Sequence, residues 1–162
     1  MRPETECRRA FAALVKKWIT EGTTVTAMES CTGGYIASLI TDNEGASSVF
    51  RGSDVTYGNG AKVRAGVDPE IMEKYGVYSR QTAEAMAEAC RKAFGTDIGI
   101  GVTGSLGRPD PANPDSMVGT VYAAVASERR TVCRVYTDIN GETRWESKAL
   151  IACRIAEILK TI

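Results

Sequence analysis

Residues 98–103 read Ile-Gly-Ile-Gly-Val-Thr, an uncharged run in which glycine alternates with isoleucine before Val-Thr. A strand with no polar face is buried on both sides, as the central strand of an α/β sheet is. The rest of the chain supplies helices to cover it. Residues 79–94 give the strongest helical pattern, with Ser79 as a suitable N-cap, frequent alanine and Gly95 past the end. Residues 4–21 place Phe11, Leu14, Val15, Trp18 and Ile19 at helical spacing, and Gly22 stops them. A last helix follows residues 141–144 and carries Ala149, Leu150, Ile155 and Leu159. Short helical pieces are expected at 61–64 and 70–75. Extended segments are expected at 24–27, 48–57, 118–126 and 131–137. The last two are joined by a turn at 127–130 and form a hairpin, which makes the sheet mixed rather than purely parallel. No repeat or linker interrupts the chain, so one α/β domain over residues 1–162 is expected, with helices flanking the sheet.

Between the strand at 24–27 and a helix from Tyr35 to about Thr41 lies Met-Glu-Ser-Cys-Thr-Gly-Gly, residues 28–34. Such a turn gathers unpaired backbone N–H groups and the positive end of a helix dipole at one point. Gly33 and Gly34 let the chain bend sharply and a ligand approach. Glu29, Ser30, Cys31 and Thr32 put chemistry at the same point, which suits holding an anion or building an oxyanion. The plainer reading is a capped helix start, with Ser30 or Thr32 as N-cap.

Composition removes several function classes. Twenty basic and twenty acidic residues leave a formal net charge of zero, so no basic excess exists to neutralise a nucleic-acid backbone. No apolar run approaches the ~20 residues that span a bilayer, and residues 1–6 are too acidic and polar for a signal peptide. A cytoplasmic protein is expected. The five cysteines are widely spaced with no C-x-x-C pair, which suggests neither a disulfide framework nor a zinc site. Cys90, Cys133 and Cys153 sit in apolar patterns, whereas Cys31 lies at a helix start, where a thiolate is favoured. The chain contains no histidine. That rules out a Ser-His-Asp triad, a Cys-His pair and any histidine-ligated metal. A hydrolase of this composition without a metal must use Lys, Asp, Glu, Tyr or an activated water as its base.

Three loops follow the expected strands, at 29–34, 57–62 and 103–117, and the crevice beyond strand ends is the usual ligand site of an open α/β sheet. The middle loop offers Tyr57, Asn59 and Lys62. A serine at a helix start with a nearby lysine is a workable amidase pair, provided the lysine loses its charge through partial burial or a neighbouring dipole. A tyrosine hydroxyl could relay the proton or orient the amine. From spacing alone, a solvated Lys62 and a strand-ending Tyr57 are the simpler reading.

Glu-Ser-Cys-Thr-Gly-Gly at 29–34 resembles the signature of the CinA carboxy-terminal domain family, the nicotinamide mononucleotide deamidases. Val-Thr-Tyr-Gly-Asn-Gly-Ala-Lys at 55–62 resembles the family's V-x-Y-x-N-x-A-K run. Gly66-Val67, Gly76-Val77-Tyr78-Ser79, the strand ending in Val102-Thr103-Gly104 and Val118-Gly119-Thr120-Val121-Tyr122 follow in the family's order. The resemblance implies a three-layer α/β/α fold with a mixed sheet, a homo-oligomer, and hydrolysis of a pyridine nucleotide carboxamide to nicotinate mononucleotide and ammonia, with no metal or cofactor for the step. It places the catalytic serine at Ser30, the tyrosine at Tyr57 and the lysine at Lys62. Substrate contacts are expected from Glu29, Cys31, Thr32, Gly33, Gly34, Asn59, Thr103 and Gly104. Many family members carry a further N-terminal domain that these 162 residues leave no room for. The alternatives are a nucleotide-binding or interaction module without turnover, an amidase for another small amide, and Cys31 as the nucleophile.

Two segments depart from the family pattern. Its glycine-rich run after V-T-G reads here Ser-Leu-Gly-Arg-Pro-Asp-Pro-Ala-Asn-Pro-Asp over 105–115, and its G-D-R near the last helix is matched only loosely by Gly141-Glu142-Thr143-Arg144. Pro109, Pro111 and Pro114 stiffen the loop and withhold three N–H donors. Arg108 suits a phosphate or carboxylate, while Asp110 and Asp115 repel one. A reshaped substrate pocket is therefore expected around the Ser30–Lys62 centre.

Overall fold

The alternating glycines of residues 98–103 are explained by what lies against them. The computed structural model describes residues 2–162. In chain order it has α1 (Pro3–Glu21), β1 (Val25–Glu29), α2 (Tyr35–Thr41), β2 (Phe50–Val55), α3 (Asn59–Arg64), α4 (Pro69–Tyr75), α5 (Arg80–Phe94), β3 (Ile98–Gly104), β4 (Val121–Ala126), β5 (Thr131–Tyr136) and α6 (Arg144–Leu159). Among the described residues the strands form one five-stranded sheet in the order β2-β1-β3-β4-β5. β1 runs parallel to β2 and β3, while β4 runs antiparallel to both of its neighbours, β3 and β5. β3 is central and every one of its residues is buried. A Cβ on Gly99 would stand 2.2 Å from the Ala87 carbonyl oxygen, and one on Gly101 2.3 Å from that of Ala83. Helix α5 therefore lies directly on the backbone of β3, and its own small Ala83 and Ala87 complete the fit.

The two faces of the sheet are packed differently. On one face α1, α2 and α6 bury Phe11, Trp18, Ile36, Ile40, Ile151 and Ile155 against Val25, Ile100, Val102, Val121 and Val125. On the other, α5 packs its alanines against Ala124, Ala126 and Cys133, and its Met86 and Cys90 against Met28 and Val67. The result is a three-layer α/β/α arrangement. No helix among the described residues is long and apolar enough to cross a membrane.

Several boundaries differ from the sequence reading for local reasons. β1 continues two residues further, to Glu29, because it pairs with β3 as far as Val102. β4 begins at Val121 rather than 118. Gly119, at φ 80, turns the preceding residues, and its N–H bonds the Ser105 carbonyl. The capping of α2 is a correction. Its N-cap is Gly34, and neither Ser30 nor Thr32 caps it. The Glu29 carboxylate does so instead, accepting the N–H groups of Gly34, Ile36 and Ala37 at 3.0, 3.1 and 2.9 Å.

Candidate active site

Backbone ladders fix the position of Ser30. Its N–H bonds the Val102 carbonyl at 3.1 Å, one step past the β1–β3 pairing, and Thr56 N–H bonds the Glu29 carbonyl at 2.8 Å, one step past β1–β2. The chain then reverses through Gly33 and Gly34, at φ 60 and 93. A non-glycine residue would strain at either. Ser30 and the end of β2 are thus held side by side at the carboxyl edge of the parallel strands.

The short helix α3 turns Lys62 back beneath this edge. The lysine is 1% exposed, against the expectation of a solvated surface residue. Its Nζ donates to the Thr56 carbonyl oxygen at 2.8 Å and to Ser30 Oγ at 3.2 Å. Burial disfavours the ammonium and lowers the Lys62 pKa to about 8, the charge of Asp110 acting in the opposite direction. Such a lysine is partly neutral near physiological pH and sits within reach of the serine proton.

Ser30 faces a cavity of about 1010 Å3, large enough for a mononucleotide. Of the residues expected to touch substrate, Cys31, Asn59 and Gly104 line this cavity, as does Tyr57. Glu29, Thr32, Gly33, Gly34 and Thr103 do not. The Glu29 carboxylate is fully buried and committed to the start of α2, so it is unavailable to a ligand. It also occupies three of the N–H groups that make a helix start attractive to an anion. Thr32 is fully buried, and Thr103 Oγ1 donates to the Val77 carbonyl at 3.2 Å, tying β3 to the approach of α5. Gly33 and Gly34 shape the turn without facing the cavity.

Two further expectations are corrected. Cys31 is 3% exposed, and burial pushes its thiol pKa up to about 12, so the dipole at the helix start does not make it a thiolate. Tyr57 is 63% exposed, and its hydroxyl accepts from Arg144 at 2.9 Å instead of meeting Lys62.

Arg144, at the first turn of α6, also donates to the Leu106 carbonyl, so it joins the 57–62 loop to the 104–117 loop. The sequence carries a signal for it that spacing alone does not weigh: a cation at the positive end of a helix dipole is unfavourable unless something else holds it there. Tyr78 and Asp110 are a second pair that sequence reasoning did not join. The Tyr78 hydroxyl donates to Asp110 Oδ2 at 2.6 Å. The hydrogen bonds with Tyr78, Asn113 and the Ala112 N–H hold the Asp110 carboxyl below its ordinary pKa. Burial and this partner raise the Tyr78 hydroxyl above its own.

The model of the CinA C-terminal domain matches residues 8–157. A CinA-like protein of Myxococcus xanthus is 41% identical over 138 residues, covering 76% of this chain and 32% of that protein. A CinA-like protein of Syntrophotalea carbinolica is 36% identical over 155 residues, covering 94% of this chain and 37% of that one. The chain spans about a third of the length of the curated relatives it matches. Among solved structures, the competence/damage inducible protein CihA from Agrobacterium tumefaciens superposes with a TM-score of 0.88 at 27% identity, over 96% of this chain and 94% of that one. A CinA superfamily protein from Escherichia coli does so with a TM-score of 0.83 at 25% identity, over 98% and 91%.

Proposed function

The chain belongs to the CinA C-terminal domain family, and on that basis we propose that it is a serine–lysine amidohydrolase that converts nicotinamide mononucleotide to nicotinate mononucleotide and ammonia. The observation that carries this reading is the 3.2 Å contact between Lys62 Nζ and Ser30 Oγ, made by a lysine whose burial favours the neutral amine. The contact joins a base with a lowered pKa to a hydroxyl that lines a nucleotide-sized cavity, the two elements an activated serine needs.

Neutral Lys62 takes the Ser30 proton as Oγ attacks the carboxamide carbon. The amide oxygen becomes an oxyanion, for which the Cys31 and Thr32 N–H groups, not taken by Glu29, are the donors nearest in sequence. Collapse breaks the C–N bond, and Lys62 returns its proton to the departing ammonia. Water then attacks the ester, with Lys62 as base again, and releases the carboxylate and free Ser30. Thr56, through its carbonyl, orients the amine throughout. Tyr57 serves the site through Arg144 rather than as a proton relay. Arg144 and Arg108, both on the cavity wall, suit the substrate phosphate. The reading also carries the family's homo-oligomer and a cytoplasmic setting.

Ammonia release from nicotinamide mononucleotide tests the proposal. Ser30→Ala and Lys62→Ala each lower kcat by at least about a thousandfold while circular dichroism stays unchanged, and Cys31→Ala keeps most of the activity. An active Ser30→Ala variant and a dead Cys31→Ala variant would reverse the nucleophile assignment.

A further inference from the structure

Asp110 presents a puzzle to the mechanism just given. It lines the same cavity as Ser30, and its charge and that of Lys62 act on each other. A carboxylate near the base favours the ammonium, the form of Lys62 that cannot accept the serine proton. Yet the chain holds this carboxylate firmly in place. Oδ2 accepts from the Tyr78 hydroxyl and from Asn113 Nδ2, both at 2.6 Å, and Oδ1 accepts from the Ala112 N–H at 2.9 Å. The Asp110 N–H bonds Ser116 Oγ at 2.8 Å, and Asn59 Nδ2 braces Asn113 at 3.2 Å. These bonded side-chain and backbone donors are neutral, so they fix the carboxylate without cancelling its charge.

We infer that Asp110 is a specificity-determining residue, whose carboxylate selects amides borne on a cationic ring over uncharged amides of the same shape. The inference rests on the deamidase reading and deepens it. The pyridinium ring of nicotinamide mononucleotide carries its positive charge on the same small ring as the scissile carboxamide, so a cavity that seats the amide at Ser30 also brings the cation close to the surrounding charges. With such a ring bound, the negative charge that handicaps Lys62 in the empty site is balanced by the substrate. Arg108 and Arg144 on the same cavity wall accommodate the opposite end of the molecule. The cavity then holds both signs of charge, as its zwitterionic ligand does.

The test uses two ligands that differ in ring charge: nicotinamide mononucleotide, and its reduced form, whose dihydropyridine ring keeps the carboxamide and phosphate but is uncharged. Dissociation constants are measured by calorimetry on the full chain carrying Ser30→Ala, which keeps the nucleotide intact. The protein binds the oxidised form tighter by on the order of tenfold, the size of one modest charge interaction. Adding Asp110→Asn removes that preference by weakening the oxidised form alone. Adding Tyr78→Phe, which deletes one hydrogen bond and keeps the charge, retains most of it. Equal affinity for the two forms without the added substitutions, an unchanged ratio in Asp110→Asn, or an equal loss of preference in Tyr78→Phe overturns the role of Asp110 and leaves the deamidase reading standing. Failure to bind either nucleotide overturns both.

Discussion

Lys62 reaches Ser30 from beneath the cavity rather than from within it. The serine lines the wall, and the lysine behind it is 1% exposed and bonded to the Thr56 carbonyl at 2.8 Å. Base and nucleophile are therefore in contact before any ligand arrives, and a bound substrate shields the serine without having to displace the lysine.

This arrangement sets a pH profile. Lys62 must be neutral to act, and its pKa is about 8. We predict that log kcat/KM rises with unit slope up to about pH 8 and then levels. Because the charge of Asp110 pushes Lys62 upward, Asp110→Asn moves the limb to lower pH. A flat profile from pH 6 to 9 would remove Lys62 as the base.

The same lysine should weaken the fold. Its folded pKa of about 8 lies below the ordinary 10.5, so the unfolded chain binds more protons between those values and stability rises with pH through that window. Below pH 8 the cost is constant. Lys62→Met then removes catalysis but stabilises the protein at pH 7 by about 1–2 kcal/mol, the relief being partly offset by the lost bond to Thr56. Urea denaturation at pH 7 and pH 10 checks both statements, and a destabilised Lys62→Met at pH 7 contradicts them.

Glu29 should prove structural. Glu29→Gln presents an amide donor to a cluster of backbone N–H donors and loses at least one of three charge-assisted bonds, for about 2 kcal/mol. The denaturation midpoint should fall. Any loss of activity should appear in kcat, through the position of Ser30, with KM little changed.

Gly101→Ala tests the packing of the central strand. Its new Cβ would meet the Ala83 carbonyl oxygen at 2.3 Å, a backbone atom that cannot rotate away. Destabilisation of about 3 kcal/mol or more is expected, read as a lowered denaturation midpoint. Gly58→Ala, where nothing lies within 4 Å and φ is −96, is the matched control and should change little.

The loop at 104–117 should govern substrate choice. Replacing it with a glycine-rich run removes Arg108 and Asp110 from the cavity wall and so abolishes the preference for nicotinamide mononucleotide over its reduced form. A folded graft that keeps the preference would refute the loop's role in selection.

Much of the fold is legible in the chain because its signals are local. The burial of residues 98–102, the Ser79 and Gly95 ends of α5 and the 127–130 turn each follow from neighbouring residues. Ser30 and Lys62 are legible as a chemical pair, but the burial of Lys62 is not, since charges flank it at Arg64 and a glycine-rich turn precedes it. Arg144 meets Tyr57 across 87 positions, and Tyr78 meets Asp110 across 32. Only the order of the sheet brings such residues together, and no spacing rule in a single sequence encodes it. Cys31 shows two effects in competition. A helix start favours the thiolate, but its influence falls off within a turn, whereas burial applies to the whole side chain.

The hydrogen bonds from Ser30 to Val102 and from Thr56 to Glu29 extend the sheet one step past its strands. The reactive serine and the carbonyl that steadies the lysine are consequently anchored by the scaffold, while Arg108, Asp110 and Asn113 ride on a connecting loop. Reactivity and selectivity are thus anchored separately: the loop can be lengthened or stiffened without moving the nucleophile, and it reaches the base only through the charge of Asp110. New substrate preferences are open to this architecture through changes confined to about a dozen loop positions, and directed evolution of the site would begin there.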